Sequence, residues 1–255
     1  MLPIVDRPII DYIVEDCIKA GITDIYLVIS EGATQVRDYY GHNRELEQYL
    51  QAKGKEEMLS SIQPPEGIRF HFVEQPTSAD QPYGTSVPVL LCREFLEVDE
   101  HVLVLAGDDF IFNADGSSEV RRLLDAAEKT GGSAMLAAEI PQEEVSRYGV
   151  VVAHHDESGL RFDHIQEKPT VAEAKSNLIN ISKYVFDGRF FQEYLALDTV
   201  TNGEYYITDP INAYVAAGNS MYVVPIQGQY LDGGTAQNWH HANEVVLRAM
   251  TSDTQ

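Results

Sequence analysis

Val102–Asp109 reads VLVLAGDD: five apolar residues run straight into a glycine and two carboxylates. A short apolar run bounded this way is a strand buried on both faces, as in a parallel sheet covered by helices. In such open sheets ligands sit at the carboxyl ends of the strands, so Asp108 and Asp109 stand at the expected mouth. Hard carboxylate oxygens there suit Mg²⁺, which keeps one or two protein carboxylates and fills its other positions with phosphate and water. Gly-Asp-Asp alone reads equally well as a loop in which Asp109 caps the next segment.

On either side of this stretch the apolar period alternates between helix-like and strand-like, the pattern of an α/β sheet built from crossover units. Upstream, Ile10, Ile13, Val14, Cys17 and Ile18 form a helical stripe stopped by Gly21, and Ile25 to Ile29 reads as a buried strand. A polar helical section with Leu46, Leu50, Met58 and Ile62 as its apolar positions precedes a strand at Ile68 to Val73. A short helix then spans Val87 to Phe95, with Pro88 in its first turn. Downstream, Ser117 caps a helix ending at Gly131, and Ala134 to Ile140 is a buried strand. From Val150 to Phe186 three strand-like runs follow one another without a helix, which predicts a small antiparallel excursion. Helical patterns return at Phe190 to Leu197 and after Thr208. A strand at Tyr222 to Ile226 and a helix from Thr235 follow. No linker or repeat divides the chain, so residues 1–255 read as one domain: a Rossmann-like mixed, mostly parallel sheet flanked by helices.

Composition narrows the function. Forty Asp and Glu against 18 Lys and Arg give a net charge of −22, which repels nucleic acid and anionic membrane surfaces. Apolar runs fall far short of the roughly 20 residues that cross a bilayer. Asp6, Arg7 and Asp11 interrupt any signal-peptide core, and the two cysteines make no framework, so a reducing cytoplasm is expected. Cys17 sits on the apolar stripe and reads as core. His154-His155 and His240-His241 diverge on any regular element and read as surface residues.

Three further places could carry chemistry. Gln229–Thr235, QYLDGGT, puts Asp232 after the last strand, where it would face Asp108 or merely make a turn. Glu167-Lys168-Pro169 ends a strand either with a carboxylate able to hold sugar hydroxyls and a lysine able to neutralise a phosphate, or simply as a solvated strand end. Gly149, in Tyr148-Gly149-Val150-Val151, either offers its N–H to a hydroxyl or marks a bulge.

In order along the chain stand MLPIVDRPIIDYIVEDCIKAGI (1–22), ELEQYLQAKGKEEML (45–59), VEQPTSADQPYGTSV (73–87), VLAGDD (104–109), YGVV (148–151), EKP (167–169), SNL (176–178), GEYYITD (203–209) and YLDGGT (230–235). With these segments the chain resembles the nucleotide-sugar pyrophosphorylases, and the section at 45–59 tilts it toward their bacterial uridylyltransferase branch. The resemblance implies transfer of a uridylyl group from UTP to glucose 1-phosphate, giving UDP-glucose and pyrophosphate. It also implies a dimer or tetramer. Carried over by position, Gln75 and the Gly84 backbone would read the uracil edge, and Asp108 and Asp232 would hold Mg²⁺. Asp109, Gly149, Glu167 and Asn177 would position glucose, and Lys168 would bind its phosphate. In the family a strand, a glycine-rich loop of the type G-x-G-T-R and a lysine precede the segment resembling MLPIVDRP; here that segment starts at Met1. The expectation from this departure is an N-terminally truncated chain, weakly active or inactive. Two other functions fit the same residues: a non-catalytic regulator that binds a sugar nucleotide, and a pyrophosphorylase for another nucleotide or sugar phosphate.

Overall fold

In the computed structural model, which describes residues 1–97, 100–200 and 203–252, the chain opens with two-residue strands β1 (Pro3–Ile4) and β2 (Arg7–Pro8), paired antiparallel. Helix α1 (Ile9–Lys19) follows: Ile13, Val14 and Cys17 of the expected stripe are buried, Ile10 and Ile18 only half-buried, with Ile9 and Tyr12 buried in their stead, and Gly21 takes φ +89°. Then come β3 (Asp24–Ser30), α2 (Gln35–Tyr39), α3 (Arg44–Ala52), a 3₁₀ turn (Glu56–Ser61) and β4 (Arg69–Gln75). Next are α4 (Ser86–Leu91), β5 (His101–Leu105), β6 (Asp109–Phe112), α5 (Glu119–Thr130) and β7 (Ser133–Glu139). Strands β8 (Gly149–His155), β9 (Leu160–Glu167) and β10 (Leu178–Asp187) lead to a π-helical turn (Phe190–Tyr194) where a longer helix is expected. The chain continues with α6 (Thr208–Ala216), β11 (Met221–Pro225), β12 (Gln229–Asp232) and α7 (Ala236–Ser252).

Two compact units result. One is Met1 with Gly21–Gln81, the other Leu2–Ala20 with Pro82–Gln255. In the first, β3 and β4 pair in parallel from Asp24 opposite Arg69 to Ser30 opposite Gln75. The helical section expected across Leu46 to Ile62 is broken there. Gly54 takes φ +65°, the Lys55 N–H closes back on the Leu50 carbonyl at 2.9 Å, and Met58 is left exposed in the 3₁₀ turn.

In the second unit, six strands run in the order β5-β10-β7-β11-β9-β8. The β7·β11 ladder is parallel; β10 is antiparallel to both β5 and β7. The antiparallel segment thus forms a β8·β9 hairpin and then returns through β10 to the middle of the sheet. Aromatic packing explains why β10 belongs there: Tyr184, Phe186, Phe190, Phe191 and Tyr214 are buried together, with the Phe186 and Phe190 rings stacked at 3.8 Å. On the other side Leu123 and Ala127 of α5 pack on Ala134, Leu136 and Val185. The cap of α5 is Ser118, whose hydroxyl accepts the Arg121 N–H at 2.9 Å. The sequence points to Ser117 for that role, but its hydroxyl and N–H are both taken by Asp115. A separate ladder, β6·β12, is covered by α1 and α7 through Ile9, Ile13, Phe110, Leu231 and Val246. Among the described residues no helix is long and apolar enough to cross a membrane.

Candidate functional site

Asp108 and Asp232 lie far apart in the chain and meet through backbone pairing. In the β6·β12 ladder Asp232 stands opposite Asp109 and Leu231 opposite Phe110, and the Gly233 N–H donates to the Asp108 carbonyl at 3.4 Å. Burial of Phe110 and Leu231 fixes this register, because a slip of one residue would turn both out of the core. Asp108 is exposed and Asp232 half-buried. The Asn238 amide, in the first turn of α7, aims the Asp232 carboxylate by donating to its oxygens at 2.9 and 2.8 Å, and the Gly234 N–H adds a bond at 2.9 Å. Two hard carboxylates at one ladder end, one open and one held, are a donor set that suits a hard divalent cation.

Asp109, expected beside glucose, is turned inward and only 8% exposed. Its Oδ1 pairs with the Lys183 ammonium, itself 3% exposed, and its Oδ2 accepts the Tyr230 hydroxyl at 3.0 Å. Both oxygens are therefore committed to the protein. Burial pushes the Asp109 carboxyl up while the Lys183 charge draws it down. Burial also raises the Tyr230 phenol, and the neighbouring Asp109 charge adds to it.

The other cluster is built on the β8·β9 hairpin, where Gly149 pairs with Glu167. A Cβ at position 149 would come within 2.9 Å of Ile165 Cγ2 and 3.2 Å of Glu167 Oε2, so a side chain there would crowd both. Glu167 reaches the surface, yet enough protein surrounds its carboxyl to push its pKa up; the charge of Asp209 raises it too, and that of Lys168 opposes. Lys168 is exposed, with φ +43° and its N–H on the Tyr148 carbonyl at 3.1 Å. Asn177 joins the strand ends, its amide donating to Glu139 at 3.0 Å and its carbonyl accepting from Ile140 at 3.1 Å. The two clusters have neighbours in common. The fully buried Tyr184 hydroxyl feels the charges of both Asp109 and Glu167, and the phenol of Tyr148, raised by burial, feels Asp232 and Asp109.

The remaining expected positions differ in setting. Gly84 has φ +129° and lies so close to the Tyr205 backbone that any Cβ would overlap it. The Tyr205 N–H donates to Tyr83 and the Ser86 N–H to Tyr205, each at 2.9 Å. Gln75 belongs to the first unit, half-buried at the C-terminal end of the parallel pair. Burial disfavours both thiolates, pushing the Cys17 thiol up to about 12 and that of the half-buried Cys92 to about 11. All four paired histidines are exposed, and no cluster of three or more metal-binding side chains occurs among the described residues.

Lys183, Tyr230 and Asn238 escape the sequence reading. A signal for Lys183 exists: a lysine inside a strand whose neighbours are apolar on both faces demands a buried partner. Nothing local marks Asn238.

The family model "Nucleotidyl transferase" matches residues 1–249. The chain is 35% identical over 214 residues to a UTP--glucose-1-phosphate uridylyltransferase of Bacillus subtilis (strain 168), covering 83% of this chain and 70% of the relative. It is similar to the solved structure of a UTP-bound UGPase from Acinetobacter baumannii, with TM-score 0.84 and 25% identity across 96% of this chain and 84% of that one. An apo UDP-glucose pyrophosphorylase structure gives TM-score 0.84 and 28% identity, across 97% and 89%.

Proposed function

The chain belongs to the nucleotidyl transferase family, and from that premise we propose that it transfers the uridylyl group of UTP to glucose 1-phosphate, giving UDP-glucose and pyrophosphate. The observation that carries this most directly is the meeting of Asp108 with Asp232 at one ladder end, beside a second cluster of Gly149, Glu167 and Lys168. The names of the similar proteins supply the substrates.

In this reaction a phosphate oxygen of glucose 1-phosphate attacks the α-phosphorus of UTP, the bond to the β-phosphate breaks, and pyrophosphate leaves. Such transfer needs in-line positioning and neutralisation of charge more than covalent help from the protein. Asp108 and Asp232 would hold Mg²⁺, which when bound neutralises the phosphate oxygens around the reacting phosphorus. Glu167, which a side chain at position 149 would crowd, accepts sugar hydroxyls, and Lys168 places its charge on the sugar phosphate. Asn177 completes the glucose side, and the Gly84 backbone reads the uracil. Asp109 serves by holding its neighbours. A chain of net charge −22 can bind polyanions only where such groups reverse the local field. The same proposal takes residues 1–255 as one nucleotidyltransferase domain of a cytoplasmic dimer or tetramer.

Calorimetry with UDP-glucose tests it, run with and without Mg²⁺ and beside ADP-glucose and dTDP-glucose. Binding that Mg²⁺ strengthens and that favours the uridine compound is expected. Equal binding of all three sugar nucleotides removes the uridylyl assignment, and no binding removes the function.

A further inference from the structure

The lysine buried beneath the acidic ladder has no part in the chemistry above, and its placement is built with care. Between Asn180 and Tyr184 the pairing of β10 with β7 shifts register. Inside that bulge Ser182 takes φ +51°, in the left-handed region that side chains avoid. Its N–H is held by the Asn180 side chain at 3.1 Å and its carbonyl accepts the Ala106 N–H at 2.9 Å. The bulge directs Lys183, opposite Leu105 in the β5 ladder, inward beneath the end of that strand.

There the Lys183 ammonium donates to the Ala106 carbonyl at 3.0 Å and pairs with the Asp109 carboxylate. Ala106 and Asp109 flank Gly107-Asp108, both exposed and carrying no apolar anchor of their own. One ammonium thus ties down both ends of the turn that presents Asp108. The other oxygen of Asp109 holds the Tyr230 hydroxyl, and Tyr230 lies two residues before Asp232 on the same face of β12. A single hydrogen-bonded chain, Ala106 carbonyl to Lys183 to Asp109 to Tyr230, runs under both metal-side aspartates.

We propose that Lys183 is the positioning residue of the metal site: through Asp109 and the Ala106 carbonyl it sets where Asp108 stands relative to Asp232. This rests on the assignment of those two aspartates as metal ligands. Buried ion pairs add little net stability but are costly to halve, which suits a bracket that fixes geometry. A fixed spacing matters most for a small cation with strict octahedral demands and least for Ca²⁺, whose coordination is longer and more flexible.

The experiment is Mn²⁺ binding followed by electron paramagnetic resonance, with Ca²⁺ as competitor, on the full chain. Lys183→Met should weaken Mn²⁺ binding by about 10-fold or more, in line with the loss of groups that orient metal ligands, while Ca²⁺ affinity falls less. Lys183→Arg should recover part of the loss. Should Lys183→Met fail to fold, Lys183→Met with Asp109→Leu removes the orphaned carboxylate and is measured in its place. Unchanged Mn²⁺ affinity, or an equal loss for both ions, overturns the bracket. Asp108→Asn separates this outcome from failure of the underlying assignment: Mn²⁺ binding that survives Asp108→Asn shows that no metal site lies there.

Discussion

The β6·β12 ladder and the β8·β9 hairpin each end in a carboxylate, and they prepare it in opposite ways. At the first, Asp232 is gripped by an amide and a backbone N–H, and an ion pair lies buried below the Asp108 turn. At the second, Glu167 rests over a glycine, and the lysine beside it extends into solvent. The contrast suits the ligands proposed for them. A small cation with rigid geometry needs its donors fixed before it arrives. A hexose phosphate brings several hydroxyls and can settle around one acceptor and one mobile charge, provided there is room. One end therefore spends protein contacts on position, and the other on space.

The comparison breaks first at Asp108. Asp108→Asn removes, at an exposed position, one of the two carboxylates proposed to hold the metal, so Mn²⁺ affinity should fall by about 100-fold or more while far-UV circular dichroism stays unchanged. A smaller effect is expected at the other end from Gly149→Val. A side chain at position 149 pushes on Ile165 Cγ2 and Glu167 Oε2, which should cost about 1–3 kcal/mol of stability. UDP-glucose binding should weaken by roughly 10-fold through displacement of the carboxylate, and Mn²⁺ affinity should hold. A Gly149→Val variant that loses Mn²⁺ but keeps UDP-glucose would show that space and position have been assigned to the wrong ends.

The two ends were also unequally legible in the sequence. α1 and β5 announce themselves, one by a helical stripe and the other by an unbroken apolar run. β6 and β12 do not: each has four residues, too few for a period, and their pairing joins positions more than a hundred residues apart. Without that ladder, Asp232 reads as a turn residue and Asp109 as a cap. At the start of α5 two adjacent serines both suit the cap, and only the Asp115 side chain, by engaging Ser117, leaves the role to Ser118. Lys183 is the plainest case. Its type and its apolar neighbours are visible in the sequence, but its direction depends on a bulge at Ser182, which no residue preference foretells. Residues proposed to act by reaching outward, such as Glu167 and Lys168, show their chemistry in the sequence as residue types at a strand end, and the family resemblance gives them roles. Those that act by holding something else show their role only in the fold, where their partners come from distant parts of the chain.

The smallest effect expected is one of pH, and it tests the open end alone. Surrounding protein raises the Glu167 carboxyl above its ordinary 4.5, with Asp209 adding to the shift, so its charged form is lost on acidification sooner than that of a solvated glutamate. Only the charged form accepts two sugar hydroxyls well, while the phosphates of UDP-glucose stay ionised throughout. UDP-glucose affinity should therefore begin to fall at a pH above the ordinary glutamate range, by a few-fold, and Glu167→Gln should abolish that dependence. Stability should run the other way. A raised carboxyl favours the folded state when neutral; that contribution is present at low pH and lost as pH rises through the raised value. At neutral pH Glu167→Gln should then match or slightly exceed the parent in Tm, with the difference vanishing on acidification. A variant that binds less well yet melts no earlier is the signature of a carboxylate kept for its ligand, and a loss of Tm at neutral pH would instead make Glu167 part of the scaffold, as Asp109 is at the other end.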